Sequence, residues 1–537
     1  MFDFMNNEYP FPSKRNVVYA KNGMVATSMP LASQAGLEIL KKGGNAIDAA
    51  VATAACLTVV EPTSNGIGGD AFAIVWMNEK LYGLNSSGYS PEKLTLDVLK
   101  ERNITEIPRF GFIPVMVPGI PAAWAELNKR FGKLSLLECL EPAIKYATEG
   151  YPISPTLAHH WNNAYKIYQK NCTSSEFSSW FETFAPNGRA PQEGELWKSV
   201  DHAETLRLIG KTNADAFYNG ILADKIETFS LKYNGLIRRE DLMKFKPEWV
   251  DPISVNYKGF DVWEIPPNGQ GIVALQALKI IENIDVSKMS DSKRLHTQIE
   301  AMKLAFKDAQ TYIADPKSMK LDYLSLLDPN YCLKQSRKIS STALNFEDIL
   351  PFGSGTVYLA TADKEGNMVS YIQSNYMGFG SGLVVPGTGI ALQNRGHNFS
   401  LDKTHPNCLG PRKRSYHTII PGFLTKNDRA IGPFGVMGGF MQPQGHMQVI
   451  MNSIDFHMNP QSALDAPRWQ WLEKNRVAME NSWSPVVLDE LRSKGHEIIV
   501  LSDLSSFGRG EIIWKDQESN IYMGGSEPRC DATVSCW

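Results

Sequence analysis

The chain has 537 residues and a mass of 59.8 kDa, enough for several domains or for one large two-sheet body. A hydrophobic fraction of 43% supplies a core and excludes a collagenous or largely disordered chain. The formal charge of −3 gives no basic field for holding a phosphate backbone, which argues against a nucleic-acid partner.

The opening MFDFMNNEYPFPSKRNVVYAKNG places acidic, polar and proline residues where a secretory signal requires an apolar run. Nowhere does the chain reach the roughly 20 apolar residues needed to cross a bilayer, so a cytoplasmic protein with no membrane partner is expected. The seven cysteines are scattered without a CxxC pair and are expected to be reduced thiols. A helix is predicted over Leu31 to Lys42, stopped by Gly43 and Gly44, and Asn45 with Asp48 is placed to cap a second, buried helix that runs on to Pro62. The glycine-rich loop Ser64 to Asp70 leads into a strand, Phe72 to Trp76, rather than a helix, which points to tight turns and not to a phosphate cradle. A second strand, Lys80 to Leu84, follows. Helices fit Ala122 to Arg130, Leu136 to Glu149, Gly271 to Ile281 and Leu295 to Tyr312, so the middle reads as mostly helical. The stretch 339–355 shows neither helical nor strand periodicity and is the best linker in the chain. Beyond it the sequence turns to strands and glycines until Gln442, then to helices from Gln444 and from Asn459.

Two strand-like runs after the linker flank the turn Lys364-Glu365-Gly366. With Gly366 at the left-handed position of a three-residue loop, Asp363 faces Asn367 and Thr356 faces Ser374. A threonine hydroxyl is a weak nucleophile until a base takes its proton. Cleavage between Gly355 and Thr356 would give Thr356 an α-amino group with an intrinsic pKa of about 7.7 to 8.0, the range a general base needs. One residue would then supply nucleophile and base. Taken alone, the threonine reads first as a β-branched residue chosen for strand packing, and it is the surrounding motifs that overturn this.

The segments Gly23 to Thr27, Leu40 to Ala50, Glu61 to Gly69, Val117 to Gly119, Glu141 to Ile144 and Glu149 to Pro152 resemble, in order and spacing, the large subunit of γ-glutamyltransferases. Gly355-Thr356 resembles that family's processing site, and Val436 to Phe440 its paired-glycine segment; the likeness runs from about Gly23 to Trp537. It implies an α+β fold, a four-layer αββα N-terminal nucleophile hydrolase sandwich. It also implies a precursor cut into a large chain, 1–355, and a small chain, 356–537, which stay together as a heterodimer and one structural domain; a dimer of heterodimers is left open. By the same resemblance Thr356 is nucleophile and α-amino base, Ser374 the hydroxyl beside it, and Gly438 and Gly439 the oxyanion donors. Neither cofactor nor metal is expected.

At the positions where the family holds a substrate's amino-acid head group, this sequence differs. Asn85 to Pro91 should contain a carboxylate-binding arginine and has none; Ser87 or Tyr89 stands in the region. Tyr376 replaces an asparagine, Arg395 a glutamine, Asn398 an aspartate and His417 a serine, while Thr418 keeps a hydroxyl. A substrate ammonium would lose its anionic partner and meet a cation. The pattern resembles the branch that includes oxamate amidohydrolase and cephalosporin-acylase-like proteins, and implies a small amide substrate that carries a carboxylate. Arg395 is the leading candidate to hold that carboxylate, with Tyr89, Tyr376, Asn398, His417 and Thr418 as the other substrate-binding candidates. Against this stand an authentic γ-glutamyltransferase or glutathione hydrolase with a rebuilt pocket, and an uncleaved, non-catalytic binding protein. A serine hydrolase lacks its G-x-S-x-G elbow, and the spacing of His397, His405, His417 and His457 fits no zinc motif.

Overall fold

Along the strand Gly355–Asp363 successive side chains leave in opposite directions. Tyr358, Ala360 and Ala362 enter one apolar cluster, and Val357 and Leu359 another. A strand that is apolar on both faces needs a layer on each. In the computed structural model, which describes residues 14–349 and 355–537, those layers are a second sheet on one side and helices on the other.

The first sheet runs, by hydrogen-bonded neighbours, Thr533–Cys536, Gly23–Thr27, Gly355–Asp363, Met368–Tyr376, Asp70–Met77, Lys80–Ser86 and Glu248–Val250. The second runs Val18–Ala20, Tyr522–Ser526, Arg509–Lys515, Arg429–Met437, Gly422–Lys426, Phe260–Glu264 and Ile253–Tyr257. Both are antiparallel throughout. Met24, Phe72, Tyr358 and Ile372 of the first sheet meet Phe423, Met437 and Ile513 of the second between the layers. Helices Pro30–Lys41, Ala46–Val60, Ile120–Phe131 and Leu136–Glu149 belong to the core on the outer face of the first sheet; Gly271–Ile281, Asp291–Tyr312 and Met441–Ile454 cover the second. This is the expected αββα sandwich.

Local chemistry fixes the main joints. Asn45 accepts hydrogen bonds from the Ile47 and Asp48 N–H groups at 3.0 and 3.1 Å, and Asp48 returns one from the Asn45 N–H at 3.1 Å, the predicted capping box. Every residue of the helix behind it is buried. The hairpin has the predicted register, Val357 opposite Gln373 and Ala362 opposite Met368, with Gly366 at φ +89°. Near its open end the partner strand carries one extra residue, because Gly355 pairs with Tyr376 rather than with a residue before it. Such bulges re-aim side chains.

Two expectations change. The linker is not free of regular structure: Phe346–Ile349 is a strand antiparallel to Trp469–Lys474, in a small sheet completed by Arg476–Glu480 and Glu497–Leu501. Its approach is tethered, since Glu300 accepts from the Leu344 N–H at 2.7 Å and Lys303 Nζ donates to the Leu344 carbonyl at 2.8 Å. Irregular periodicity concealed a strand four residues long. The remaining linker positions 350–354 lie outside the described residues, as do residues 1–13 of the opening segment. Second, the largely helical middle also contributes Ile253–Tyr257 and Phe260–Glu264, which form one edge of the second sheet. Helix Ala46–Val60 ends as expected at Pro62, whose ring keeps the preceding Glu61 out of the helical conformation, at φ −140°. No helix among the described residues is long and apolar enough to cross a membrane.

His202 is buried against Phe184 and Trp197, and burial pushes its pKa down to about 4. An unfolded histidine titrates near 6.5, so between pH 6.5 and 4 the unfolded chain binds more protons and stability falls as pH falls. Thermal unfolding should therefore move to lower temperature across that window, and His202→Gln should flatten part of the slope; an unchanged slope would show that His202 is not held neutral.

Candidate active site

Position 356 lies at the first turn of the ladder beside the bulge, where three strands of the first sheet bring short polar side chains together. The Thr356 hydroxyl, on a residue only 1% exposed, donates to Ser374 Oγ at 3.1 Å. Ser374 Oγ donates to the Gly355 carbonyl at 2.5 Å and accepts from the Tyr376 N–H at 2.8 Å. A serine hydroxyl has one proton and two lone pairs. Its proton is committed to the carbonyl of the Gly355–Thr356 peptide, and its lone pairs receive the Thr356 hydroxyl and the Tyr376 amide. Arg395 Nη2 approaches the same oxygen at 3.5 Å. The proton of Thr356 thus has a path to Ser374, and the carbonyl beside Thr356 is already polarised.

Close backbone approach shapes this corner. Gly69, next to Asp70 at the head of the neighbouring strand, has no room for a side chain: a Cβ there would stand 2.4 Å from the Ser374 carbonyl oxygen. Tyr376 sits at φ +77°, a conformation that bulky residues rarely adopt and that marks a constrained site. Gly438 and Gly439, at φ +144° and +59°, link strand Arg429–Met437 to helix Met441–Ile454. Their N–H groups have no hydrogen-bond partner among the described residues, whereas Gln270 Nε2 donates to both the Gly439 and the Thr418 carbonyls, at 2.8 and 2.6 Å. The positive end of the helix dipole adds to what two free N–H groups offer an anion.

Arg395 is 1% exposed. It donates to Thr418 Oγ1 at 2.7 Å and its guanidinium lies 4.1 Å from the Tyr376 ring centre. Among the described residues no carboxylate lies within ion-pair distance, and Nε has no hydrogen-bond partner. Burial brings its pKa down to about 10, still a cation at neutral pH. Asp402, an obvious local partner, instead accepts from Thr404 on the surface. His417 Nε2 lies 3.0 Å from Asp70 Oδ2, and burial, helped by the Arg395 charge, lowers its pKa to about 4. It is a neutral ring that donates to Asp70. Asp70 also accepts from the Gly88 N–H at 2.8 Å and Gln393 Nε2 at 2.7 Å.

The sequence candidates therefore separate. Thr356, Ser374, Tyr376, Arg395 and Thr418 form one connected group, and Asn398 joins it by accepting from the Tyr376 hydroxyl at 3.1 Å. His417 enters through Asp70, which pairs with Ser374 across the sheet. Tyr89 does not join: its hydroxyl donates to Glu248, which also binds Arg414, at a separate crevice. The loop containing Tyr89 reaches the site through its backbone, where the Gly88 N–H donates to Asp70. Sequence reasoning missed Asp70, whose signal was its place at a strand head after paired glycines, and Arg509, for which no local pattern exists. Arg509, ion-paired with Glu61 at 2.6 Å, donates to the Thr356 carbonyl at 3.4 Å.

Among the described residues one group, His296, Glu300 and His496, has donor atoms close enough to share an ion. Lys303 stands 2.8 Å from that carboxylate, and one imidazole bonds the other and the Ser340 carbonyl. These donors are engaged in holding the linker approach. His397 and His405 bond the backbone carbonyls of Ile107 and Gln310.

The sequence pattern of the gamma-glutamyltranspeptidase family matches residues 32–537. A glutathione hydrolase-like proenzyme, YwrD, of Bacillus subtilis is 36% identical over 523 residues, covering 95% of this chain and 98% of that protein. The oxamate amidohydrolase proenzyme of Klebsiella pneumoniae is 31% identical over 532 residues, covering 96% and 98%. The crystal structure of cephalosporin acylase from Bacillus halodurans superposes with a TM-score of 0.97 at 57% identity, covering 100% of this chain and 99% of that one.

The geometry makes Ser374 the donor to the carbonyl that any attack by Thr356 would convert to an oxyanion. Ser374→Ala should slow conversion to two chains on the order of 10²- to 10³-fold, the usual effect of removing one such donor, while Ser374→Thr should keep most of the rate. Band intensities on a denaturing gel over time check this; equal rates in the alanine and parent proteins would remove Ser374 from the reaction.

Proposed function

Because the chain belongs to the gamma-glutamyltranspeptidase family and is an enzyme of the N-terminal nucleophile type, we propose that it cuts itself between Gly355 and Thr356 and then hydrolyses a small amide that carries a carboxylate and no ammonium group. In maturation Thr356 Oγ attacks the Gly355 carbonyl carbon, and the oxyanion that forms receives the Ser374 hydroxyl. The C–N bond breaks, nitrogen takes a proton, and water hydrolyses the resulting ester to a Gly355 carboxylate and a free Thr356 amine. The products, 1–355 and 356–537, remain one body because strands of both lie side by side in each sheet.

In the mature enzyme the freed amine takes the Thr356 hydroxyl proton, and attack on a substrate amide leaves the acyl group on Oγ. Gly438 and Gly439 offer N–H groups to the oxyanion. The departing amine takes a proton, and water, or another amine, removes the acyl group.

The observation that carries the substrate class is the unpaired, buried Arg395. A desolvated cation without a carboxylate is costly unless an anion arrives to meet it. It stands one contact from Ser374, where the sequences it resembles carry a neutral glutamine; Asn398 and His417 supply no negative charge toward it, and Asp70, whose charge does act on it, is not within ion-pair distance. An α-ammonium group would be repelled there, while the carboxylate of an oxamate-like or dicarboxylic monoamide gains a charged hydrogen bond. The name of the Klebsiella relative, an oxamate amidohydrolase, supports the same class.

Glutaryl-p-nitroanilide and γ-glutamyl-p-nitroanilide differ only by the α-amino group. The enzyme should hydrolyse the first with the higher kcat/KM, and Arg395→Gln combined with Asn398→Asp should move the ratio toward the second by on the order of 10-fold. A parent enzyme that prefers the γ-glutamyl compound and is accelerated by glycylglycine would instead be a glutathione hydrolase or transferase, and a chain that stays whole would be a binding protein.

A further inference from the structure

The strand that carries Thr356 has run out of neighbour on one side at that residue. Ala362 and Ala360 pair with Met24 and Ala26, and the last pair is Leu359 with Thr27. Residues two apart on a strand turn their N–H and C=O groups to the same side, so Tyr358 and Thr356 face that neighbour too, where the chain has already left the sheet for helix Pro30–Lys41. Side chains take its place. Thr27 Oγ1 donates to the Tyr358 carbonyl at 2.8 Å, and Arg509 Nη2 donates to the Thr356 carbonyl at 3.4 Å. Arg509 reaches across from the second sheet, in which it pairs with Met437, the residue before Gly438.

Arg509 is itself held on two sides. Its Nη1 lies 2.6 Å from Glu61 Oε1, and its Nη2 donates to Ser64 Oγ at 3.0 Å. The other Glu61 oxygen accepts from the Ser28 hydroxyl. Ser28 follows strand Gly23–Thr27 and Glu61 follows helix Ala46–Val60, so one ion pair ties the ends of a strand and a helix to Thr356. Glu61 is buried and the Arg509 side chain is 12% exposed, which leaves both charges little screened.

Cutting after Gly355 would turn the Thr356 nitrogen into an amine on the same side as the Thr356 carbonyl, the side of this pair. The other titratable and charged groups around the corner fall into two sets. Toward Ser374 stand Arg395, 3.5 Å from its Oγ, Asp70, whose charge acts on Arg395, neutral His417 bonded to Asp70, and Arg109, which acts on Tyr376. Toward Arg509, burial brings His160 down to about 4 and moves the Glu511 carboxyl and the Cys530 thiol well above their usual ranges, in each case toward the uncharged form.

We infer that Arg509 and Glu61 are the positioning pair of the mature amino terminus: Arg509 holds the Thr356 carbonyl, and the balance of the two charges sets how much of the freed amine is uncharged and able to take the Thr356 hydroxyl proton. The inference rests on the proposed cutting between Gly355 and Thr356 and deepens it. An uncharged amine accepts that proton on its lone pair, and an ammonium has no lone pair left. Arg509 alone favours the uncharged amine by repulsion, Glu61 alone favours the ammonium, and together they offset each other.

The test is the pH dependence of kcat/KM for glutaryl-p-nitroanilide, measured on the two-chain parent and on variants shown by denaturing gel to be cut. Activity falls on the acid side as the amine takes up a proton. Glu61→Gln leaves Arg509 unbalanced and should move that acid limb down by on the order of one pH unit, whereas Arg509→Met leaves Glu61 unbalanced and should move it up by a similar amount. Arg509→Lys, which restores the charge, should return the limb toward that of the parent. For a variant that is cut but turns over too slowly, carbamylation of the Thr356 amine by cyanate, followed across pH by mass spectrometry, reads the same titration. Shifts in one common direction, or a lower rate with the limb unmoved, would overturn the assignment. So would failure of both Glu61→Gln and Arg509→Lys to be cut while the parent is, since the pair would then serve folding or cutting and not the mature amine. A parent chain that stays whole overturns instead the proposed cutting, on which the role of the pair depends.

Discussion

The Ser374 hydroxyl has a single proton to give, and the fold aims it at the carbonyl next to Thr356. For that to happen the two strands of the hairpin must pair in one register, because a shift by one residue would carry Ser374 to the other face of the sheet. Gly366 sets the register at the closed end. At the open end the extra residue before Tyr376 turns the Tyr376 amide onto Ser374 Oγ, occupying one lone pair and leaving the other for the Thr356 hydroxyl. Both faces of the hairpin are buried, one by the second sheet and one by the helix Ala46–Val60, so there is little slack in this arrangement. The sandwich is in this sense a clamp on one dipeptide.

Around that dipeptide the charges are unusual in a consistent way. Asp70 is buried and fully employed by Gly88, Gln393 and His417, which leaves it little to offer a substrate. His417 is neutral. Arg395 is charged, buried and without an acid at contact distance, and the positive charges of Arg395 and Arg109 both act on the Tyr376 hydroxyl, whose pKa burial nonetheless raises to about 12. Two positive charges thus act on Tyr376, one of them offset in part by the Asp70 charge that acts on Arg395. They favour an oxyanion in the transition state and an anionic substrate in the ground state, and the proposed chemistry depends on both.

Much of this was legible in the sequence where short-range chemistry decides the outcome. The capping box at Asn45 and Asp48, the helices Leu136–Glu149 and Gly271–Ile281, and the facing of Thr356 by Ser374 follow from side-chain hydrogen bonds, periodicity and turn geometry over few residues. What escaped depends on distant partners. The strand Phe346–Ile349 exists because Trp469–Lys474 lies beside it, and its own residues show no alternation. Tyr89 is claimed by Glu248, 159 positions away in sequence, and the Arg109 carbonyl by Asn394, 285 positions away. The resemblance to a family identified which positions to watch, but not that Tyr376 and Arg395 would be buried against each other there.

The central claim is that Thr356 becomes the first residue of a separate chain and carries the acyl group during turnover. Tandem mass spectrometry of the small chain, after acid quench during slow turnover of a glutaryl amide, tests both parts in one spectrum. The account predicts an N-terminal peptide that begins at Thr356 and bears the glutaryl mass on that residue. A small chain that begins elsewhere, or an acyl mass on any other side chain, would contradict it.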